Sequence, residues 1–194
     1  MGETAEQIEG EVKREEFDPE REARRRAALA QIRQYPDSVL RMRANEVDEL
    51  DESVAQLADR MSRLMTEAAG VGLAAPQIGI LRRVLVFKAG EEAPLVAVVN
   101  PRLVEESDER VTDEEGCLSL GAATVVVDVE RAAAVALEGL SPQGEPLRIE
   151  AEGLEARVIQ HELDHLDGTL TIDRTTPEQR RAALAQLRTQ PALA

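Results

Sequence analysis

Aromatic residues are almost absent from this chain of 194 residues, which has no Trp, one Tyr and two Phe. Its core must therefore be aliphatic, and the hydrophobic share of 43% is sufficient for a globular domain. A single Cys excludes an internal disulfide framework and fits a reducing compartment, so a cytoplasmic protein is expected. No apolar run approaches the ~20 residues of a membrane span, and the polar, acidic start of the chain is not a secretory signal.

Positive charge is also scarce, with 23 Lys and Arg against 38 Asp and Glu and a formal net charge of −15. Binding to nucleic acid over a broad surface requires a basic face, so no DNA partner is expected. An Arg cluster at residues 24–26 is interpreted as a solvated helix face that pairs with nearby Glu. A second, smaller basic patch is formed by Arg180, Arg181 and Arg188 near the end of the sequence.

Two helices are predicted in the first half of the chain. Asp18 supplies the N-cap of a helix over residues 20–34. Ser53 opens the second helix with capping-box spacing, and its apolar stripe ends before Gly70. We interpret residues 1–17, which are dense in Glu and poor in apolar side chains, as a disordered or loosely docked tail.

The second half of the chain predicts strands followed by helices. Helices are predicted over Gly153–Leu166 and from a capping box at Thr176. The acidic stretch before Cys117 is interpreted as a loop. Strands are predicted at short apolar runs bounded by turn residues, namely 84–87, 95–99, 125–129, 133–137 and, after a turn at 141–144, 147–149.

Both histidines of the chain lie in the segment His161-Glu-Leu-Asp-His165. Positions i and i+4 share one face of a helix, so the two imidazoles can converge on one metal ion. A bound metal lowers the pKa of water from 15.7 to roughly 7, and Glu162 stands where it can accept the released proton. The alternative is an exposed pair of histidines. Apolar neighbours such as Val158 predict a buried helix, in which unpaired imidazoles would be costly.

Two histidines leave such a site one protein ligand short. Glu178 lies at a capped helix start and is a poor candidate, and there is no third His. Cys117 is the one thiol, although a lone Cys is more often a small buried hydrophobe. The Gly-rich segment 70–79 lacks the Gly-Lys-Ser/Thr of a phosphate loop. Its Gln77 can donate a hydrogen bond to a developing oxyanion, but taken alone the segment is better explained as a helix-to-strand connection.

Taken together, three segments resemble, in order and spacing, the three signature motifs of peptide deformylases. Residues 70–79 read Gly-Val-Gly-Leu-Ala-Ala-Pro-Gln-Ile-Gly, and residues 115–119 read Glu-Gly-Cys-Leu-Ser. Residues 160–168 read Gln-His-Glu-Leu-Asp-His-Leu-Asp-Gly. Residues 99–101, Val-Asn-Pro, also look like the strand-end tripeptide of that family. The resemblance runs from residue 31 to residue 174 of the chain.

The resemblance implies an α+β fold in which a central metal-binding helix packs among mixed and antiparallel sheets, with flanking N- and C-terminal helices. It implies a catalytic domain over 34–176, preceded by an acidic tail and extra helix (1–33) and followed by a C-terminal helix (177–194). The implied reaction is metal-dependent hydrolysis of the formyl group from the formyl-methionine of nascent polypeptides, with release of formate. The alternatives are another metal-dependent amidase or peptidase on the same scaffold, or an inactive ribosome-associated paralogue.

Carried over residue by residue, the resemblance also assigns roles at the site. Glu162 would be the general base and then the general acid, while Gln77 and the backbone N–H of Leu118 would hold the formyl oxygen as it becomes anionic. The metal, Fe(II) by preference with Zn(II), Ni(II) or Co(II) as substitutes, would be held by Cys117, His161 and His165. The substrate would lie extended against residues Val71, Gly72, Glu115, Gly116, Leu154, Arg157 and Val158.

The chain departs from the family pattern after Leu120. Relatives usually have a Pro there, whereas residues 121–125 of this chain read Gly-Ala-Ala-Thr-Val. An Arg that often contacts the substrate from the stretch before Arg131 is missing, which puts the binding of residues after formyl-Met in question. The expected partner is a formyl-methionyl peptide, with no DNA or membrane partner. The chain is expected to be a monomer, with room for a transient ribosome contact.

Overall fold

The computed structural model describes residues 18–189, so the interpretation of residues 1–17 as a tail lies outside the described residues. Its helices are α1 (Pro19–Leu29), α2 (Glu52–Glu67), α3 (Gly153–Leu166) and α4 (Pro177–Thr189). Its strands are β1 (Gly72–Ala74), β2 (Val84–Phe87), β3 (Val96–Glu106), β4 (Arg110–Gly116), β5 (Val126–Ala132), β6 (Ala134–Leu140) and β7 (Pro146–Glu152). Short 3₁₀ turns occupy Ser38–Arg41, Ala75–Ile78 and Thr171–Asp173.

The strands form two separate antiparallel sheets. Five strands pair in the order β1-β2-β3-β6-β7, and β4 pairs with β5 alone. All strand pairs within the two sheets are antiparallel. The predicted α+β class is therefore confirmed, with antiparallel rather than mixed sheets.

The starts of α1 and α2 show how capping fixes helix ends. The Asp18 carboxylate accepts hydrogen bonds from the backbone N–H groups of Glu20 and Arg21, as predicted for an N-cap. The predicted N-cap of α2 is wrong by two residues, because the carboxylate of Asp51 accepts from the N–H and hydroxyl of Ser53. Helix α1 is also shorter than predicted, since it ends at Leu29.

Strand β4 replaces the predicted acidic loop before Cys117. It pairs with β5 from Arg110 opposite Ala132 to Gly116 opposite Val126. Only Glu115 of its seven residues is buried, so the strand lacks the apolar alternation by which sequence reasoning finds strands. Backbone pairing with β5 decides the conformation of this segment.

Helix α3 has the bounds that its sequence predicts, and it lies against both sheets. Its buried face packs Ile159 and Leu166 into an aliphatic core with Leu85 and Leu137. Gly168 follows the helix with a φ of +74°, where a Cβ atom would lie 2.6 Å from the carbonyl oxygen of Arg41. Glycine is therefore required at the point where the chain leaves α3.

The Val-Asn-Pro tripeptide has a structural role in this fold. Asn100 adopts a φ of +49°, and its carboxamide accepts from the N–H of Val47 and donates to the carbonyl of the same residue. The side chain thereby fixes the segment between the 3₁₀ turn at Ser38–Arg41 and α2 against the sheet, since both backbone groups of Val47 are bonded.

No helix between residues 18 and 189 has the length and hydropathy needed to cross a bilayer.

Candidate metal centre

Three potential metal ligands converge where α3 passes the end of β4. The ligand atoms of Cys117, His161 and His165 all lie within 4.8 Å of one another. The Sγ atom of Cys117 is 3.2 Å from Nε2 of His165. The two histidines share one face of α3 because they are four residues apart, and Cys117 follows β4 directly. One thiol and two imidazoles suit a divalent ion such as Zn(II) or Fe(II).

One buried polar atom at this point tests whether the residues fit a metal. Oε2 of Glu162 has no hydrogen-bond partner among the described residues. Buried polar atoms in proteins are nearly always paired, so this atom marks a place that is completed by a further group. The donor set, which is largely buried, therefore fits a bound divalent ion.

Glu115 orients the first histidine. Its carboxylate accepts a hydrogen bond from Nδ1 of His161 at 3.0 Å, so the other ring nitrogen is left to face the thiol. It also accepts two bonds from Arg131, at 2.7 and 2.9 Å, and one from Arg157 at 2.8 Å. Burial would raise the pKa of Glu115, but the hydrogen bonds from Arg131 and His161 outweigh burial and hold it well below its usual value. Glu115 is therefore a permanent anion behind the ligand.

Arg131 is a site residue that sequence reasoning missed. It is 5% exposed and joins Glu115 to Asp164, whose Oδ2 is 2.8 Å from Nη1 of Arg131. Arg131 occupies the inward face of β5 together with Val127 and Val129. The alternation of inward and outward residues along β5 was the signal that could have revealed Arg131, since a charge on the buried face of a strand requires an ion pair.

Burial governs the titration of the groups between the two sheets. It raises the pKa of Glu162 to about 7, although the positive charge of His161 opposes the shift. Burial and the neighbouring His161 lower the pKa of His165 well below its usual value. Burial also favours a lower pKa for His161, but hydrogen bonds to Cys117 and Glu115 outweigh it and raise the pKa. Glu162 thus lies where a carboxyl exchanges a proton near neutral pH.

The close approach of β1 to α3 explains Gly72. A Cβ atom on this residue would lie 2.2 Å from Oε1 of Glu162. Since no side chain fits that distance, glycine is required for the Glu162 carboxyl to reach its position beside the strand.

Two hydrogen-bond donors lie beside Cys117. The carboxamide of Gln77 is buried, and its Oε1 accepts from the N–H of Ala74 at 2.8 Å. Its Nε2 is 3.3 Å from the hydroxyl of Ser119 and 3.8 Å from Sγ of Cys117. Among residues 18–189, the N–H of Leu118 has no hydrogen-bond acceptor. These two N–H groups therefore lie next to the candidate metal ligands.

A cavity of about 470 Å³ opens above these groups. Its rim is apolar and exposed at Val71 and Leu154. The guanidinium of Arg157 turns away toward Glu115 and the carbonyls of Val111 and Val129, so its aliphatic stem faces the cavity. All seven residues assigned to the substrate by resemblance line this cavity, namely Val71, Gly72, Glu115, Gly116, Leu154, Arg157 and Val158.

A largely buried Cys-His-His group that could hold a metal ion, under a mostly apolar cavity and beside a carboxyl whose pKa burial raises to about 7, is the arrangement of a metal-dependent hydrolase. The model of the polypeptide deformylase family matches residues 29–181 of the chain. The chain therefore belongs to the polypeptide deformylase family, as its three motifs predict.

Individual relatives agree with this assignment. The chain is 49% identical to a peptide deformylase of Clostridium botulinum, over 77% of this chain and 98% of the relative. It is 38% identical to the peptide deformylase of Thermodesulfovibrio yellowstonii, over 84% of this chain and 99% of the relative. The solved peptide deformylase of Thermotoga maritima superposes with a TM-score of 0.71 at 43% identity, covering 75% of this chain and 97% of that one. The solved peptide deformylase of Ehrlichia chaffeensis superposes with a TM-score of 0.77 at 32% identity, covering 81% of this chain and 94% of that one. The chain is a hydrolase that removes the N-terminal formyl group from nascent peptides.

Proposed function

We propose that Cys117, His161 and His165 hold one divalent ion at which this chain hydrolyses formyl-methionyl peptides. When bound, such an ion supplies Lewis-acid chemistry, which polarises the formyl carbonyl and lowers the pKa of water toward 7. The single observation that carries the proposal is the convergence of the three ligand atoms within 4.8 Å at the base of the cavity. A thiolate ligand accepts Fe(II) as well as Zn(II), Ni(II) or Co(II), and the family resemblance favours Fe(II).

Glu162 moves the proton in this proposal. Its buried Oε2 accepts a proton from the attacking water and returns it to the nitrogen of the methionyl residue as the C–N bond breaks. Formate and a free amine then leave. The pKa of about 7, which burial causes, suits a carboxyl that must both take and give a proton near neutral pH.

Gln77 and Leu118 stabilise the oxygen on which negative charge develops. Nε2 of Gln77 and the backbone N–H of Leu118 are preorganised donors in a buried environment, where a hydrogen bond to an oxyanion is worth more than in water. Because the charge appears only in the transition state, both donors raise kcat rather than substrate affinity.

The peptide lies extended beside β1. This strand is at the edge of the five-stranded sheet, so its outer side can pair with a substrate backbone at Gly72. Val71, Leu154 and Val158 receive the methionine side chain, while the Glu115-Gly116 end of β4 forms the opposite wall.

The proposal extends to the organisation of the whole chain. The catalytic domain spans 34–176, with 1–33 and 177–194 as flanking segments, and the chain acts as a cytoplasmic monomer. The Arg residues of α4 supply any transient contact with the ribosome, since the chain as a whole has a net charge of −15.

Formate release from formyl-Met-Ala-Ser tests the proposal, with acetyl-Met-Ala-Ser and free Met-Ala-Ser as matched substrates. The protein is purified without oxygen and loaded with Fe(II). We expect turnover of the formyl peptide alone. Equal turnover of the acetyl peptide would favour a general amidase. A protein that binds no metal and turns over none of the three would favour an inactive paralogue.

A further inference from the structure

A short segment after α1 lies behind the two donors assigned to the formyl oxygen. The N–H of Arg33 donates to the carbonyl of Gln77 at 2.7 Å. Nε2 of Gln34 donates to the carbonyl of Leu118 at 2.9 Å, and the N–H of Tyr35 donates to the carbonyl of Ser119 at 2.9 Å. Residues 33–35, which we call the support segment, thus bind the backbone of both donor residues.

The support segment joins parts of the fold that no strand pairing connects. Gln77 lies in the 3₁₀ turn that follows β1 of the five-stranded sheet, whereas Leu118 follows β4 of the two-stranded sheet. Other contacts also link these two places, because Nε2 of Gln77 lies 3.3 Å from the hydroxyl of Ser119 and 3.8 Å from Sγ of Cys117, and Leu118 packs in the same apolar cluster as Ile78. The support segment adds the bonds that reach the backbone carbonyls of both donor residues, so the distance between the two donors depends in part on residues 33–35.

Gln34 acts at the peptide unit next to the Leu118 donor. The Leu118 N–H belongs to the same peptide group as the Cys117 carbonyl. That carbonyl accepts hydrogen bonds from the N–H groups of Leu120 and Ala123, each at 2.9 Å. The next peptide group contains the Leu118 carbonyl, which accepts the hydrogen bond from Nε2 of Gln34. Fixing both units leaves the backbone of Leu118 little freedom to rotate its N–H away from the site.

We propose that Gln34 is a positioning residue for deformylation, which acts by fixing the Leu118 N–H in the direction of the formyl oxygen. The inference rests on the proposed roles of Gln77 and Leu118. Of these three bonds, only that of Gln34 comes from a side chain. A substitution therefore removes it, together with a longer bond from the same Nε2 to the Ile32 carbonyl at 3.3 Å, and leaves every backbone group in place. Removal lets the Leu118 peptide rotate and weakens a hydrogen bond that matters only in the transition state.

The test compares Gln34→Met with Gln31→Met. Methionine keeps the length of the side chain and removes the donor. The control residue, Gln31, is exposed just beyond the end of α1, and the bonds of its side chain within residues 18–189 go to the Ala27 carbonyl and to Arg60. For Gln34→Met we expect kcat on formyl-Met-Ala-Ser to fall about tenfold, a fraction of the 10²–10³ lost when an oxyanion donor is deleted, with KM within about twofold. Gln31→Met should match the wild type. Gln34→Asn, which is polar but too short, provides the same test if Gln34→Met does not fold.

A second readout separates positioning from a merely structural role. In zinc-loaded protein, the amide resonances of Leu118 and Ser119 should shift or broaden in Gln34→Met and not in Gln31→Met. Unchanged kcat, equal changes in kcat and KM, or unperturbed Leu118 resonances would each overturn the inference.

Gln77→Met separates the proposed oxyanion site, formed by Gln77 and Leu118, from the positioning role of Gln34. Full activity in that variant contradicts the proposed oxyanion site, whereas a loss there with none in Gln34→Met contradicts the support segment alone.

Discussion

The two halves of the metal centre are held in place by different forces. Helix α3 presents both histidines and is fixed by apolar packing of residues such as Ile159 and Leu166, which are fully buried. Cys117 follows β4, a largely exposed strand whose sheet contains one other strand. Ionic bonds link these halves, because Glu115 at the end of β4 pairs with Arg157 and His161 of α3, and Arg131 joins Glu115 to Asp164 of α3.

The metal centre thus combines two differently built parts. Its packed half is helix α3 with the two histidines, and its charged half is the end of β4 with Glu115 and Cys117. Apolar packing determines where the two imidazoles lie, but it has little surface to act on along β4. Buried ion pairs therefore supplement the apolar cluster that holds Cys117 with Leu120 and Val127, and their directionality fixes the Glu115 carboxylate that orients His161. Variants of the two halves should therefore fail in different ways.

Breaking the charged half should have the largest effect. Arg131→Met removes the shared cation of the buried Glu115 and Asp164 carboxylates and leaves them with Arg157 and Arg174, which lowers the free energy of unfolding by up to about 3–5 kcal/mol. Zinc affinity should also fall by up to about 10–100-fold, because Arg131 no longer fixes the Glu115 carboxylate that holds the His161 ring. Urea unfolding and a competitive zinc titration measure the two effects.

The matched control for Arg131→Met is Arg148→Met. Arg148 also pairs with carboxylates, those of Glu105, Glu138 and Glu150, but on the exposed surface of the sheet. Arg148→Met should lower the free energy of unfolding by at most about 1 kcal/mol. Equal losses in the two variants would mean that burial of the Arg131 pairs is irrelevant.

Weakening the packed half should lower stability without changing metal affinity. Leu137→Ala removes a buried side chain of β6 from the core that supports α3, at a cost of about 3 kcal/mol. The ionic link between the halves is untouched, so the folded fraction should bind zinc as the wild type does. A zinc affinity that falls as far as in Arg131→Met would show that the two halves are not separable.

The smallest effect is expected where a charge cluster is neither deeply buried nor part of the centre. Asp173 accepts from the Leu170 N–H and pairs with Arg41 and Arg180, which ties the start of α4 to the turn before it. Burial would raise the pKa of Asp173, but the bonds from Arg41 and Leu170 outweigh burial and lower the pKa. Asp173→Asn should cost about 1 kcal/mol at pH 7.

The sign of the pH dependence follows from the lowered pKa of Asp173. Its stabilisation is fully present above the unfolded-state pKa, which is about 4, and is lost as the pH falls through the lower folded-state pKa. The difference in unfolding free energy between wild type and Asp173→Asn should therefore shrink below about pH 4. Thermal unfolding at several pH values checks this, and a difference that grows in acid would contradict it.

The packed half is also the half that sequence predicts well. The bounds of α3, its buried face and the left-handed Gly168 all follow from signals within a few residues of one another. The charged half was harder to predict. Strand β4 has no apolar alternation and depends on a partner strand, and Arg131 shows its role only once Glu115 and Asp164 lie on either side of it.

Contacts between distant residues explain what else was missed. The bond from Gln34 to the Leu118 carbonyl spans 84 positions, so no local pattern marks it. The error at the start of α2 has a different cause, since Asp51 and Ser53 are both good N-caps and the charged acceptor prevails.

Formate release from formyl-Met-Ala-Ser by Glu162→Gln, with metal content measured in the same sample, tests the central claim most directly. Glutamine keeps the size of the side chain beside Gly72 but cannot accept the proton. We expect one metal ion per chain, as in wild type, and a kcat lower by about 10²–10⁴-fold. Turnover close to that of the wild type in the metal-loaded variant would contradict the account, because the proton would then have to be moved by another group.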